Sequence, residues 1–99
     1  AFCHLHDPDG AKEVAQRIEA LGRRCFHAAI DVAELPALRA FLTGAQAVLG
    51  PPDILVNNAG LNLRGPFETI TEEQFDRVMS VHVRASFFAT QAVWPAMVQ

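Results

Sequence analysis

The chain has 99 residues, 51% of them hydrophobic, and a net charge of −3; this suits one compact domain, or part of one, and leaves no room for two. The mild acid excess provides no basic stripe to neutralise phosphates, which argues against a nucleic-acid partner. No apolar run approaches the roughly 18 residues that span a bilayer, and the first residues lack a basic stretch followed by an apolar one, so no membrane partner is expected.

Ala1–His6 (AFCHLH) is a short, mostly apolar run bounded by Asp7-Pro8-Asp9-Gly10, the pattern of a buried strand ending in a turn. Asp7 is placed to cap a helix, with Pro8 at the first helical position, where its missing N–H costs nothing. Ala11, Val14, Ile18 and Leu21 recur at helical spacing, and Gly22 supplies the left-handed residue that closes such a helix. Cys25–Val32 (CFHAAIDV) reads as a second buried strand ending in an aspartate. From Glu34 to Leu49 the set Leu35, Leu38, Leu42, Ala45 and Leu49 marks one helical face, with Pro36 near its start and Gly50-Pro51-Pro52 at its end. Gly44 weakens this helix by about 1 kcal/mol relative to alanine.

Asp53–Val56 (DILV) is predicted as a third strand running directly into Asn57-Asn58-Ala59-Gly60. A loop over 61–70 follows. Thr71 and Gln74 then form a capping box that opens a long helix through at least Trp94, with Pro95 expected to end or kink it. Strands alternating with helices in this way imply right-handed βαβ crossovers and a parallel sheet, hence an α/β fold of three strands and three helices. Cys3 and Cys25 have no close-spaced partner, which points to reduced, buried thiols and a cytoplasmic setting. His4 and His6 share one face of the first strand, but with no third ligand in view no metal site is expected.

In an open parallel sheet, ligands gather at the carboxyl ends of the strands, where helix N-termini present free N–H groups. Three segments end there: His6-Asp7, Asp31-Val32 and Asn57-Asn58-Ala59-Gly60. The last, in the context DILVNNAG, resembles the NNAG segment of the short-chain dehydrogenase/reductase family. Asp31-Val32 is similar to the aspartate and small apolar residue that end the preceding strand in that family, and Glu72–Met97 is similar to the helix after NNAG. The resemblance covers nearly the whole chain. It implies part of a single dinucleotide-binding domain spanning residues 1–99, with the three strands as the second, third and fourth of a seven-stranded Rossmann-like, doubly wound sheet.

The function implied is that of an NAD(P)-dependent oxidoreductase moving a hydride between a nicotinamide and a carbonyl or alcohol substrate. By the resemblance Asp31 accepts a hydrogen bond from the adenine amino group and Val32 contacts the ring. Asn58, Ala59 and Gly60 line the cofactor through their main chain, and Asn57 ties neighbouring strands together. An acid at the end of the first strand would pair with the ribose of NAD. Leu5 stands there instead with His6 beside it, which leans toward NADP as long as Asp7 serves as helix cap.

Three departures from the family pattern carry weight. The glycine-rich turn belongs before Ala1, and the Tyr-x-x-x-Lys pair belongs beyond Gln99, so the chain is expected to be an internal piece. With no tyrosine at all, the 99 residues alone are expected to be inactive. His82, in Val81-His82-Val83, occupies the place where the family usually has an asparagine that holds the helix open and positions a water in a proton relay. An imidazole can donate and accept too, yet its larger ring threatens the water, and the other reading is a side chain packed beside Phe75, Val78, Met79 and Ala89. That substitution also motivates an alternative, a catalytically impaired relative retaining the nucleotide-binding or oligomerisation scaffold.

Sheets of this kind are ordered 3-2-1-4, so a strand preceding Ala1 would lie between the first strand and Asp53–Val56. The latter is therefore expected to lack partners on both edges, and the isolated 99 residues to be marginally stable. The helix from Glu72 carries Phe87, Phe88, Val93 and Trp94 beyond its core stripe. A second apolar face of this kind, with the family resemblance, implies a homodimer or homotetramer.

Overall fold

The computed structural model describes residues 1–99 as an α/β arrangement in which two short parallel strands are flanked by helices. Strand β1 (Phe2–His4) pairs with β2 (His27–Ala29) in the register Phe2–His27, Cys3–Ala28 and His4–Ala29. Both strands are shorter than the apolar runs that contain them. His6 lies beyond β1 in the turn, with φ of 62°, so it does not share a strand face with His4. The ring of His4 instead lies beside those of Phe2 and His27, at centroid distances of 6.4 and 5.8 Å.

Helix α1 (Pro8–Ala20) begins where expected: Asp7 Oδ1 accepts a hydrogen bond from the Gly10 N–H at 3.0 Å. It closes by a Schellman arrangement, in which Gly22, at φ of 73°, donates to the Glu19 carbonyl and Arg23 to that of Ile18. Ala11 and Ala15 are its buried residues, and it packs against β2. Helix α2 (Leu35–Leu49) runs unbroken through Gly44. A Cβ at that position would lie 2.8 Å from the Phe26 ring, so the glycine makes room for an aromatic side chain that in turn contacts Phe41. Arg24 donates to the Val48 carbonyl at 2.7 Å, satisfying an orphan acceptor at the negative end of α2.

Asp53–Val56 is not a strand of the sheet. It forms no ladder with β1 or β2, and Ile54 and Val56 are 80% and 75% exposed. A groove of about 580 Å³ separates it from β1, lined by Cys3, Val32, Leu38, Leu55, Val81 and Ala85 among others. The segment has the composition of a strand but no neighbouring strand to exchange hydrogen bonds with, and an extended chain without such a partner is not a ladder.

After a 3₁₀ turn at Phe67–Thr69, the Thr71–Gln74 capping box starts helix α3 (Glu72–Met79), with Thr71 N–H donating to Gln74 Oε1 at 2.9 Å and Gln74 N–H to Thr71 Oγ1 at 3.2 Å. The long helix expected here is interrupted once. Residues Ser80–Arg84 form a π turn, in which the Ala85 N–H reaches back five residues to the Ser80 carbonyl, before helix α4 (Ala85–Met97) continues. Pro95 lies inside α4 and does not end it; so near the C-terminus, it removes only one helical hydrogen bond, and the helix runs on through Met97.

The core sits between α2 and α4. Leu35, Leu38 and Leu42 pack on Ala85, Ala89 and Val93, with Ile30, Val32, Phe41, Leu55 and Phe88 partly buried around them. The small side chains at positions 85 and 89 bring the helix backbone close to the leucines. Only 10 of the 99 residues are buried, so each carries a large share of the packing energy. Leu38→Ala is expected to destabilise the complete protein by about 2–5 kcal/mol, read from denaturant unfolding; a loss below about 0.5 kcal/mol would place Leu38 outside the core.

Candidate functional site

The tips of β1 and β2 are tied together by the Ile30 N–H, which donates to the His4 carbonyl at 2.9 Å. One residue further on, Asp31 begins a tight turn. Its Oδ1 accepts from the Ala33 N–H at 3.0 Å and its main-chain carbonyl from the Glu34 N–H at 3.0 Å. Oδ2 receives the Arg77 guanidinium of α3 at 2.7 Å, a contact between residues 46 apart in sequence. Burial pushes the Asp31 carboxyl up, but the Arg77 hydrogen bond, the Ala33 N–H and the charges of Arg77 and His6 outweigh it and hold it below the usual carboxylate range. Folding therefore favours the ionised form, a contribution present above about pH 4 and lost as pH falls through the lowered value.

Asp31 thus acts as a turn aspartate, while its side chain remains 27% exposed. Val32, next in the chain, is half-buried against the core. His6 is exposed and near enough for its charge to bear on Asp31. The Asp7 carboxylate is engaged in capping α1.

The second cluster forms where Asn57–Gly60 passes the π turn. Asn57, Asn58, Ala59 and Gly60 are all exposed. Asn57 does not bridge strands; its Nδ2 donates to Thr90 Oγ1 of α4 at 3.4 Å, and Thr90 Oγ1 donates to the Ser86 carbonyl. His82 is exposed too. The buried stripe of the helix consists of Val81, Ala85, Ala89 and Val93.

The His82 ring instead meets Leu61, with Nε2 3.0 Å from the Leu61 nitrogen and 2.7 Å from its carbonyl oxygen. With the proton on Nδ1, Nε2 accepts from the Leu61 N–H; with the proton on Nε2, it donates to the carbonyl. A Cβ on Gly60 would lie 2.7 Å from His82 Cε1, so the glycine is required by the imidazole beside it.

Two residues of the site escaped the sequence reading. Arg77 and Arg84, whose Nη1 lies 3.4 Å from the Ala33 carbonyl, both reach the Asp31 turn from the long helix. Their seven-residue spacing, two turns along one helix face, was the available signal. Burial pushes the Cys3 thiol up, in keeping with an unreactive cysteine, and both cysteines are free. No helix is long and apolar enough to cross a membrane.

Comparison with known proteins identifies the family of the chain. The family model described as short chain dehydrogenase matches residues 2–99. The chain is 38% identical over 80 residues to 2-dehydro-3-deoxy-D-gluconate 5-dehydrogenase of Escherichia coli K12, a match covering 81% of this chain and 32% of the relative. Its structure is similar to a blue fluorescent protein from a metagenomic library in complex with NADPH, with TM-score 0.92, 37% identity, and coverage of 97% of this chain and 40% of the other. It is also similar to a short chain dehydrogenase of Burkholderia cenocepacia J2315 in complex with NADP, with TM-score 0.91, 34% identity, and coverage of 96% and 39%. The chain spans about a third of the length of the curated relative. With strand tips, NNAG segment and following helix all inside the matched region, the chain belongs to the short chain dehydrogenase family.

Proposed function

We propose that the protein is an NAD(P)-dependent oxidoreductase in which this chain supplies the adenine-side floor of the cofactor site. The observation that carries the reading is that the Asp31 turn and the Asn58–Gly60 segment both stay accessible to solvent, Asp31 with Arg77 on one carboxylate oxygen and Gly60 with the His82 ring on one side, after the strand ends where dinucleotides bind in such folds. The donor set fits a nicotinamide dinucleotide: an ionised carboxylate with free lone pairs for the adenine amino group, Val32 for the ring, and exposed main chain at Asn58, Ala59 and Gly60. When bound, the dinucleotide supplies the hydride that is exchanged with a carbonyl or alcohol substrate.

NADP is the preferred form. Asp7 is engaged at the helix cap, which leaves Leu5 and His6 where an acid would otherwise select the ribose of NAD. Relatives of this fold hold NADPH or NADP. The 99 residues contain no tyrosine, and we propose that alone they do not turn over substrate.

The role of His82 follows from its contacts. A carboxamide at this place would meet the Leu61 N–H and carbonyl with separate acceptor and donor atoms, whereas Nε2 engages one of them at a time. We therefore assign His82 to holding the segment after Gly60 against the π turn, in support of any proton relay that passes there. The exposed Val83, Phe87 and Trp94, which are 54%, 62% and 60% accessible, form a second apolar face of the helix and the proposed contact with another copy in a homodimer or homotetramer. Phe88 is not part of it, being packed against the core and covered by Arg39.

Three measurements on the complete protein test this reading. Titration with NADPH and NADH should raise reduced-nicotinamide fluorescence, with tighter binding of NADPH, and Asp31→Ala should weaken binding about tenfold; absence of binding would overturn the assignment. His82→Ala should lower kcat by about ten- to a hundredfold with a smaller change in cofactor Kd, and His82→Asn should retain activity; an unchanged kcat in the alanine variant would remove His82 from the site. Phe87→Glu should convert the assembly to a smaller species in sedimentation, and an unaltered mass would exclude that face as the interface.

A further inference from the structure

The Asp31 turn is built from outside as well as from within. Its own main chain supplies the Ala33 and Glu34 N–H groups, while the helix after the capping box delivers Arg77 to Asp31 Oδ2 at 2.7 Å and Arg84 toward the Ala33 carbonyl at 3.4 Å. The two arginines stand on one face of a helix that is fixed by the packing of Ala85, Ala89 and Val93 on α2. An ion pair as open as this, with Arg77 41% and Asp31 27% exposed, contributes little to stability. What it does supply is orientation. A free surface aspartate samples several rotamers, whereas this one has each oxygen held by one donor, with a second lone pair on each still available to accept.

We propose that Arg77 is a positioning residue for the adenine end of the cofactor: by clamping Asp31, with Arg84 steadying the carbonyl two residues on, it fixes the carboxylate that accepts the adenine amino proton. This rests on the reading of Asp31 as the adenine contact. It also gives the helix of the NNAG side a direct hold on a strand tip across the sheet, so that the two halves of the cofactor floor keep one spacing. Arg77 acts through Asp31 and does not itself touch the dinucleotide.

The test is a double-mutant cycle in the complete protein, read as the Kd for NADPH by fluorescence and, in parallel, for reduced nicotinamide mononucleotide, which lacks adenine. Arg77→Met is expected to weaken NADPH binding about three- to tenfold and leave the mononucleotide affinity unchanged. Arg77→Lys, which keeps the charge but not the planar fork, should fall between wild type and Arg77→Met. In an Asp31→Ala background Arg77→Met should add no further loss. Circular dichroism identifies any variant that fails to fold, and Arg77→Lys then carries the comparison.

The outcomes separate the two claims. If Asp31→Ala leaves NADPH affinity unaltered, the adenine assignment fails and this inference falls with it. If Asp31→Ala weakens binding and the Arg77 variants do not, the adenine assignment stands and the positioning role is overturned. Additive losses, or an equal loss for the mononucleotide, would also overturn it, the first by showing direct contact with cofactor and the second by showing a general structural effect.

Discussion

Packing of three leucines of α2 on a small-residue stripe of α4 is the contact on which the site depends. Leu35, Leu38 and Leu42 meet Ala85, Ala89 and Val93, and Val93 is the most completely buried side chain of the protein at 1% exposure. The alanines allow the helices to approach, and the approach sets where the rest of the long helix lies. Arg77, His82 and Arg84 are carried on that helix. Without the leucine–alanine contact, none of the three would have a defined position relative to the strand tips.

The π turn at Ser80–Arg84 makes the same helix serve two neighbours. One extra residue in the turn shifts the register between the α3 face that presents Arg77 and the α4 face that enters the core. His82 falls inside it, exposed rather than in the core stripe, and takes hold of the Leu61 main chain while its ring rests on Gly60. Ser86 Oγ donates to the His82 carbonyl at 2.8 Å, adding a side-chain bond to the carbonyl at the centre of the turn. A glycine and a histidine that are separate features of the sequence are therefore one packing unit.

Local chemistry was the legible part of the sequence. The Asp7 cap, the closing turn at Gly22, the Thr71–Gln74 capping box and the leucine face of α2 all depend on residues within a few positions of one another, and each appears as read. What depends on distant partners was not legible. The exception is DILV, whose lack of strand partners on both edges was expected from the strand order and which joins no ladder. Asn57 was expected to tie strands together, and its Nδ2 donates to Thr90 Oγ1 of α4, 33 residues on. Arginines look alike along a sequence, and only the fold distinguishes Arg77 and Arg84, which hold the Asp31 turn, from those that face water.

The account turns on where a redox dinucleotide would rest, at the Asp31 turn and along Asn58 to Gly60. A crystal structure of the complete protein grown with NADPH is the most direct measurement. The prediction is adenine density beside the Asp31 carboxylate, with the Asp31–Arg77 pair intact and the Asn58–Gly60 main chain against the ligand. Ordered dinucleotide at any other surface, with these two segments left facing solvent, would contradict it.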